Sequence, residues 1–212
     1  MHDEWKPIYS ALVCDIMDQL GHRDQAMTYD IRPSHPESSV AGTAVTLNAY
    51  ASHQPHSDPY GQIFSAYDLV SKGDVFVIAT NGECKSGLWG ELLSTAAQAR
   101  DVNSVVTDGL VRDIRQMNAM NFNCFSRGFS PLDSAGRIVP ESVNEPIICG
   151  GVQVHSGDFI LADVDGVAVI PAAIKDEVLK LSMEKLKGEN TVRDELAKGR
   201  SPREVFDEYG IL

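Results

Sequence analysis

The feature that most constrains the fold is an alternation of apolar strands and helical segments in the middle of the chain. Residues 74–80 (DVFVIAT), 102–108 (VNSVVTD) and 122–128 (FNCFSRG) have compositions that favour buried strands. A helix rich in small residues (ELLSTAAQARD, 91–101) and a second helix (RDIRQMNAM, 112–120) separate them. Strands that alternate with helices in this order predict a parallel α/β arrangement.

The segment before this region predicts two more helices and a strand. Apolar residues recur every four positions over residues 8–20, which is typical of an amphipathic helix, and Gly21 ends it. Residues 38–50 contain many β-branched residues and predict a strand. Residues 62–70 predict a short helix that stops at Gly73.

After Gly128 the pattern changes to short apolar runs separated by Gly, Pro, Asn and Asp, which indicates short strands and turns. The last forty residues are helical in pattern, and the segment SPRE (201–204) matches a capping box with Ser201 as N-cap. We therefore expect one α/β domain over residues 1–188 and a C-terminal helical extension over residues 189–212. One helix of this part is marked by Ile174, Val178, Leu181 and Leu186.

Composition excludes several classes of protein. The formal net charge of -12 makes a nucleic-acid backbone an unfavourable partner. No apolar run approaches the ~18 residues that a membrane span needs, and the charged start MHDEWKPIYS does not resemble a signal peptide. The cysteines are scattered without a CxxC pair, so we expect core residues in a cytoplasmic protein rather than a zinc cluster or disulfides. They are Cys14, Cys84, Cys124 and Cys149.

Two strand-to-helix corners carry the candidate chemistry, because ligands of parallel α/β sheets bind beyond the carboxyl ends of the strands. At the first corner, Gly90 precedes a helix whose first backbone N–H groups, on Glu91, Leu92 and Leu93, have no helical partner. Such a helix N-terminus binds anions, and the Glu91 carboxylate faces the same pocket.

The second corner places Arg112 and Asp113 at the start of the next helix. The guanidinium of Arg112 presents a planar fork that binds a carboxylate or an enolate oxygen. Asp113 offers a hard oxygen ligand suited to Mg²⁺ or Mn²⁺ held largely through water. The alternative is a simple salt bridge at a helix start, which stabilises the protein by ~0.3 to 1 kcal/mol.

Three other sets of residues carry weaker hypotheses. His53, His56 and Asp58 lie in one loop and form either a metal site or, more simply, polar surface. Lys85 permits a Schiff-base mechanism. Retained activity in EDTA, together with borohydride trapping of a covalent pyruvate adduct, would favour that mechanism. Asp163 and Asp165 are expected to shape a turn before the last strand rather than to bind a metal.

Several fragments, taken together, resemble the RraA-like family, which includes 4-hydroxy-4-methyl-2-oxoglutarate aldolases. The resemblance covers nearly the whole chain, and the longest fragment contains both corners. The fragments are GLWGELLSTAAQARDVNSVVTDGLVRD (87–113), LVCDIMDQLG (12–21), VAGTAVTL (40–47), KGDVFVIA (72–79), SRGFSP (126–131), GGVQVHSGDFILADVDGVAVIP (150–171) and the tail FDEYGIL.

The resemblance implies a swivelling β/β/α domain that assembles as a trimer or a pair of trimers. It also implies a class II, divalent-metal-dependent aldolase that cleaves 4-hydroxy-2-oxo acids to pyruvate and decarboxylates oxaloacetate at the same site. By position, Arg112 would bind the pyruvyl carboxylate and carbonyl oxygen, and Asp113 would hold Mg²⁺ or Mn²⁺. The backbone of residues 90–93 would bind the substrate, and Glu91 would orient or deprotonate a water.

The chain also departs from the family pattern. Asp133 stands where basic residues are expected, and the loop with His53 and His56 is unusual. Family members use a glutamate from a neighbouring subunit's tail, a role open to Glu189 or Glu195. Some members instead act as binding proteins that inhibit a ribonuclease, and this remains the alternative function. A methyltransferase is disfavoured because no Gly-rich nucleotide-binding fingerprint follows a strand.

Overall fold

The computed structural model describes residues 2–54, 56–82 and 85–211. Six α-helices lie in these ranges, with short 3₁₀ turns at Asp3–Trp5 and Ala172–Ile174. The helices are α1 (Ser10–Gln19), α2 (Gly61–Tyr67), α3 (Glu91–Gln98), α4 (Ile114–Ala119), α5 (Lys175–Ala197) and α6 (Pro202–Tyr209). The strands are β1 (Arg32–Pro33), β2 (Val40–Ala51), β3 (Val75–Ala79), β4 (Gly87–Trp89), β5 (Ser104–Thr107), β6 (Leu110–Val111), β7 (Asn123–Ser126), β8 (Gly128–Phe129), β9 (Ile138–Val143), β10 (Ile147–Cys149), β11 (Val152–Val154), β12 (Phe159–Asp163) and β13 (Gly166–Ile170).

The main sheet has the order β1-β7-β5-β3-β2-β12-β13, and β9 pairs with β2 beside this path. Strands β2, β3, β5 and β7 run parallel to their neighbours in this set, whereas β1, β9, β12 and β13 pair antiparallel. The parallel α/β arrangement predicted for the middle of the chain is confirmed, and so are the short strands predicted after Gly128.

Strand β3 shows why the central sheet is stable. Val75, Val77 and Ala79 contribute to one apolar cluster, which also contains residues of the β10–β11 hairpin. Phe76 and Ile78 contribute to a second cluster, with residues of α2, α3 and α4. Successive side chains point to opposite faces of a strand, so a strand covered on both faces needs the continuous apolar run seen here.

Each of three parallel strands is followed along the chain by a strand of a second small sheet. In this second sheet β4, β6 and β8 pair in parallel, in the same order as β3, β5 and β7 in the main sheet. Strands β4 and β6 were not predicted, because two or three residues are too few to show a strand period. These short strands hold the two corners side by side.

Several predicted helix boundaries were wrong. Helix α2 ends at Tyr67, well before Gly73, because the chain leaves it through i→i−3 hydrogen bonds at Asp68 and Leu69. Helix α4 begins at Ile114 rather than at Arg112. The predicted start of α6 is confirmed, at Pro202 with Ser201 as N-cap, although the Ser201 side chain forms no capping hydrogen bond.

The C-terminal helices complete the fold. Helix α5 packs along α1, and α6 packs on α5. The expected boundary at residue 188 falls inside α5, so the division into a domain and an extension remains a prediction. Among the helices of the described residues, none is both long and apolar enough to cross a membrane.

Candidate active site

Arg112 follows the last residue of β6, at the carboxyl end of the parallel strands. Its backbone N–H donates to the carbonyl of Trp89, 2.9 Å away, which joins the two predicted corners directly. Its side chain lies between two carboxylates: Nε is 3.5 Å from Asp113 Oδ2, and Nη1 is 3.2 Å from Asp133 Oδ1. These three side chains are 34%, 39% and 42% exposed, in that order, so a ligand can reach them.

Asp113 sits in a left-handed backbone conformation, with φ 58° and ψ 32°. This conformation is uncommon for residues other than Gly, and Asp and Asn tolerate it best. The Asp113 carbonyl accepts the N–H groups of Gln116 and Met117, each at 3.0 Å, and so starts α4. The left-handed residue thus turns the chain from the strand into the helix while its carboxylate stays beside Arg112.

Gly90 is required by the close approach of the two corners. A Cβ at this position would lie 2.6 Å from Asp113 Oδ2, so that something must shift, and 3.0 Å from Arg112 Cγ, which is a tight contact. The Gly90 backbone is extended, so its φ places no demand on the residue type. Any side chain here would displace the two charged groups of the site.

The N-terminus of α3 faces this pair. The Glu91 N–H points to Asp113 Oδ2 at 3.4 Å. Two side chains outside α3 hold its first turn in place. Trp89 Nε1 donates to Ser94 Oγ at 2.9 Å, and Tyr67 Oη donates to the Leu93 carbonyl at 2.5 Å. The expected backbone contribution of residues 90–93 is therefore positioned at the Arg112–Asp113 pair.

The Glu91 carboxylate takes a different direction from the one expected. It accepts a hydrogen bond from Thr95 Oγ1 at 2.9 Å, one turn along α3. The side chain is partly exposed and does not line the cavity beside Arg112. The amide of Glu91 thus joins the site, whereas its carboxylate lies along the helix.

A cavity of about 250 Å³ opens between the two corners. Arg112 is its one cationic side chain among the described residues, and Asp113 and Asp133 are its carboxylates. Aromatic and aliphatic side chains form most of the remaining wall. The lining residues are Tyr60, Phe64, Gly87, Leu88, Gly90, Leu92, Leu93, Arg112, Asp113, Asp133 and Ser134.

The donor set suits a cation held mainly through water. No group of three or more His, Cys, Asp or Glu side chains is gathered as a metal site within the described ranges. Mg²⁺ retains several waters and is bound by one or two carboxylates, so it does not need such a cage. Asp113 supplies one carboxylate on the wall of the open cavity.

The residues considered as other candidates do not converge on this cavity. His56 and Asp58 form a local turn, in which His56 Nδ1 is 2.8 Å from the Asp58 carbonyl, and His53 lines a different cavity. Lys85 lines that cavity with His53, not the one beside Arg112. Asp163 accepts hydrogen bonds from Ser10 and from the Asp165 N–H at the β12–β13 turn, as expected of a turn residue.

Of the cysteines that the structure describes, Cys124 and Cys149 are buried in the core, and Cys14 is partly buried against it. Burial raises the pKa of Cys124 to about 12 and raises the pKa values of Cys149 and Cys14. A thiol with a raised pKa is a poor nucleophile, because the thiolate is the reactive form. Cys84 lies outside the described residues.

The two tail glutamates have partners within the chain. Glu189 accepts a short hydrogen bond from Tyr9, whose pKa is raised to about 12 by burial and by this carboxylate. Glu195 is paired with Lys198 and Arg200, and hydrogen bonds from these two side chains lower its pKa. Neither glutamate lines the Arg112 cavity of its own chain.

Sequence reasoning missed one buried carboxylate that shapes the site. Asp108 accepts hydrogen bonds from the Thr80 backbone, at 2.6 Å, and from Thr80 Oγ1, at 2.9 Å. A Cβ at Gly109 would lie 2.6 Å from Thr80 Cγ2, so only glycine fits there. This contact joins the ends of β3 and β5 just below the two corners.

Comparison with known proteins gives consistent matches. A family model described as RraA-like, Aldolase/RraA, matches residues 10–169. A protein of Halalkalibacterium halodurans named "Putative 4-hydroxy-4-methyl-2-oxoglutarate aldolase" is 31% identical over 182 residues, covering 86% of this chain and 81% of that protein. Protein DlpA of Legionella pneumophila is 26% identical over 200 residues, which cover 94% of this chain and 32% of DlpA.

Solved structures match the fold as a whole. Streptomyces coelicolor RraAS2, described as an unusual member of the RNase ES inhibitor RraA protein family, superposes with a TM-score of 0.81. It is 24% identical, and the match covers 90% of this chain and 95% of that one. The expected β/β/α fold class with a C-terminal helical extension is confirmed by this likeness.

Proposed function

Since this chain belongs to the RraA-like family, we propose that it is a divalent-metal-dependent lyase that cleaves 4-hydroxy-2-oxo acids to pyruvate and a second carbonyl compound. Oxaloacetate decarboxylation at the same site is part of the proposal. The observation that carries it is the convergence of Arg112, Asp113 and the N-terminus of α3 on one open cavity. The relative of Halalkalibacterium halodurans, named as an aldolase of this type, supports the same class.

Arg112 binds the carboxylate and the carbonyl oxygen of the substrate. Its guanidinium lies between two carboxylates on the wall of the cavity. A planar guanidinium forms two parallel hydrogen bonds with a carboxylate, so it orients a 2-oxo acid as well as attracting it. The N–H groups at the start of α3 add partial positive charge on the same side of the cavity.

Asp113 is the residue that would hold a divalent cation, with waters in the rest of its coordination shell. When bound, Mg²⁺ or Mn²⁺ supplies positive charge beside the oxygen on which electron density accumulates. Arg112 supplies a fixed positive charge to the same oxygen, and such preorganised stabilisation is often the largest catalytic contribution.

One site serves both reactions because each breaks the bond between C3 and C4 and leaves its electron pair on the pyruvate fragment. In aldol cleavage the C4 hydroxyl loses its proton as the second carbonyl forms, so a general base is needed. In decarboxylation CO₂ leaves directly, and no base is needed. We assign the base role to Glu91; this role requires its partly exposed carboxylate to rotate away from Thr95 toward the cavity.

The proposed assembly is a trimer or a pair of trimers, in line with the family. Glu189 and Glu195 both lie on α5, and neither lines the Arg112 cavity of its own chain. A tail glutamate that completes the site would therefore come from a neighbouring subunit.

A second candidate function, regulation of a ribonuclease by protein binding, is favoured by the fold shared with RraAS2. Such a role needs a surface and no bound cation. Ribonuclease inhibition by metal-free protein carrying Arg112→Ala would support it, because that protein lacks both elements of the proposed catalytic site.

The direct test measures pyruvate release from a 4-hydroxy-2-oxo acid with Mg²⁺ and again with excess EDTA. We expect release only with Mg²⁺, and Arg112→Ala should lower the rate by ~10² to 10³-fold because it removes a preorganised oxyanion partner. Arg115→Ala is the matched control, since Arg115 is exposed on α4 and does not line the cavity. Full activity in EDTA, or equal losses in the two variants, would refute the proposal.

A further inference from the structure

Asp133 is the one carboxylate of the cavity that the proposed chemistry does not use. We propose that Asp133 sets the substrate class, so that this chain prefers 4-hydroxy-2-oxo acids with an uncharged group at C4 over those with a second carboxylate there. This inference rests on the proposed aldolase function and deepens it. The observation behind it is the position of Asp133 Oδ1, 3.2 Å from Arg112 Nη1 and on the cavity wall.

The backbone holds Asp133 in this position. Asp133 forms a β-bridge with Gly87, and the Gly87 N–H donates to the carbonyl of Leu132 at 2.9 Å. The Asp133 Oδ1 atom also accepts the Ser134 N–H at 2.9 Å, and its carbonyl accepts Arg137 Nη1 at 2.9 Å. The carboxylate is therefore a fixed part of the wall rather than a mobile surface charge.

The lining side chains offer a cationic partner to one substrate carboxylate. The 2-oxo acid carboxylate takes the single guanidinium, and Asp113 faces the same region. Among the described lining residues no second cation is present for another carboxylate. A carboxylate on C4 therefore meets Asp133 without a partner, and like charges in a partly desolvated pocket repel one another more strongly than in water.

The rest of the wall suits an uncharged group. Tyr60 and Phe64 stand on one side of the cavity, and Leu88, Leu92 and Leu93 provide aliphatic surface. Phe64 and Leu92 are largely exposed, which leaves apolar surface available for an alkyl or aryl substituent. Burial of such a substituent is favourable, whereas a carboxylate placed there loses hydration without gaining a partner.

The test compares two substrates of the same shape. The first is 4-hydroxy-4-methyl-2-oxoglutarate, which has a carboxylate on C4, and the second is its C5 amide, which is uncharged. With Mg²⁺ present, we expect wild-type protein to favour the amide by about tenfold in kcat/KM, a factor equivalent to about 1.4 kcal/mol. The preference should lie mainly in KM, because it arises from binding.

Two substitutions at this position separate charge from shape. Asp133→Asn retains an oxygen acceptor for the Ser134 N–H, and we expect it to reduce the amide preference by about tenfold. Asp133→Glu retains the charge and should retain the preference. Asp101→Asn is the matched control, because Asp101 pairs with Lys72 at 3.3 Å before β3 and β5, at the opposite end of the sheet. It should leave the ratio unchanged.

The outcomes distinguish this inference from the proposed function. If neither substrate releases pyruvate, the aldolase proposal fails and the inference fails with it. If both are cleaved but the dicarboxylate is preferred, or if Asp133→Asn leaves the ratio unchanged, only the inference is wrong. If Asp133→Asn lowers kcat equally for both substrates, Asp133 acts as a base or positions Arg112, and the specificity role is also wrong.

Equilibrium binding of the two uncleaved compounds to metal-free protein gives the same comparison without turnover.

Discussion

Both ends of the parallel strands carry carboxylates and cationic side chains, but the two ends differ in how these charges are paired. At the amino end, Lys72 pairs with Asp101, and Asp74 accepts the Ser71 N–H at 2.7 Å. At the carboxyl end, one guanidinium lies between two carboxylates beside a helix N-terminus. The cavity at the amino end is the larger of the two, about 410 Å³ against about 250 Å³. Cavity size therefore does not identify the site.

The two ends differ in whether their charged groups are balanced by partners within the chain. At the amino end the charged groups have local partners, so the structure is complete without a ligand. At the carboxyl end two carboxylates share one guanidinium, and the N-terminus of α3 lies beside the same open cavity, so a cation and an anionic substrate both complete the arrangement. Perturbed charge balance inside an open cavity is the physical sign of a functional site.

Glycine substitution at each end gives the largest expected contrast. Gly90→Ala places a Cβ 2.6 Å from Asp113 Oδ2, so both charged side chains must move. A displacement of about 1 Å in an active site costs ~10²-fold in rate, and we expect at least that loss in both aldol cleavage and decarboxylation. Pyruvate release under saturating Mg²⁺ measures the loss, and circular dichroism verifies the fold.

Gly73→Ala is the matched change at the amino end. Gly73 has φ +84° and no atom within 4 Å of a built Cβ, so the cost is backbone strain rather than collision. We expect a loss of roughly 1 to 2 kcal/mol in the free energy of unfolding, with kcat/KM unchanged. Activity lost at Gly73, or retained at Gly90, would contradict the contrast between the two ends.

The next largest effect separates the two proposed reactions within the carboxyl end. Glu91→Gln removes the assigned base, and we expect aldol cleavage to fall by ~10²-fold or more. Oxaloacetate decarboxylation should change by less than about threefold, because it needs no base. Parallel assays on the two substrates measure the split.

Thr95→Val provides a control for this prediction, since it removes only the hydroxyl that binds the Glu91 carboxylate. It should leave both reactions near the wild-type rate. An equal decline in both reactions with Glu91→Gln would mean that the Glu91 carboxylate supports the helix N-terminus instead of accepting a proton.

Sequence reasoning reached much of the fold and the centre of the site. The two corners were predicted to meet because parallel topology brings the carboxyl ends of adjacent strands together, and the Trp89–Arg112 hydrogen bond confirms the meeting. The requirement for glycine at position 90 was not predicted, because it depends on the approach of Asp113 in three dimensions.

Other parts lay beyond what a sequence pattern can give. Asp133 was noted as a departure from the family, but its contact with Arg112 depends on a β-bridge to Gly87 between segments distant in sequence. The direction of the Glu91 carboxylate depends on a rotamer and on Thr95, neither of which leaves a periodic signal. Strands of two or three residues, such as β4 and β6, are held by their neighbours and not by their own composition.

The smallest expected effect concerns Asp74 at the amino end. Burial raises the pKa of this carboxyl group, which means that the folded state disfavours the ionised form. The stability contributed by Asp74 is therefore fully present below the unfolded-state pKa of about 3.9 and is lost as the pH rises through the raised folded-state pKa. Asp74→Asn, which retains an acceptor for the Ser71 N–H, should raise the free energy of unfolding at pH 7 by up to about 0.5 kcal/mol.

Urea unfolding at pH 7 and at pH 3.5 measures this change, and the gain should shrink at the lower pH, where the wild-type carboxyl is increasingly protonated in both states. Asp101→Asn should have the opposite sign at pH 7, because it removes a partner of Lys72 and loses up to about 0.5 kcal/mol. Destabilisation by Asp74→Asn at pH 7 would show that the hydrogen bond to the ionised carboxylate outweighs the cost of burying its charge. The amino end would then depend on its charges in the same way as the carboxyl end, and the contrast between the two would rest on geometry alone.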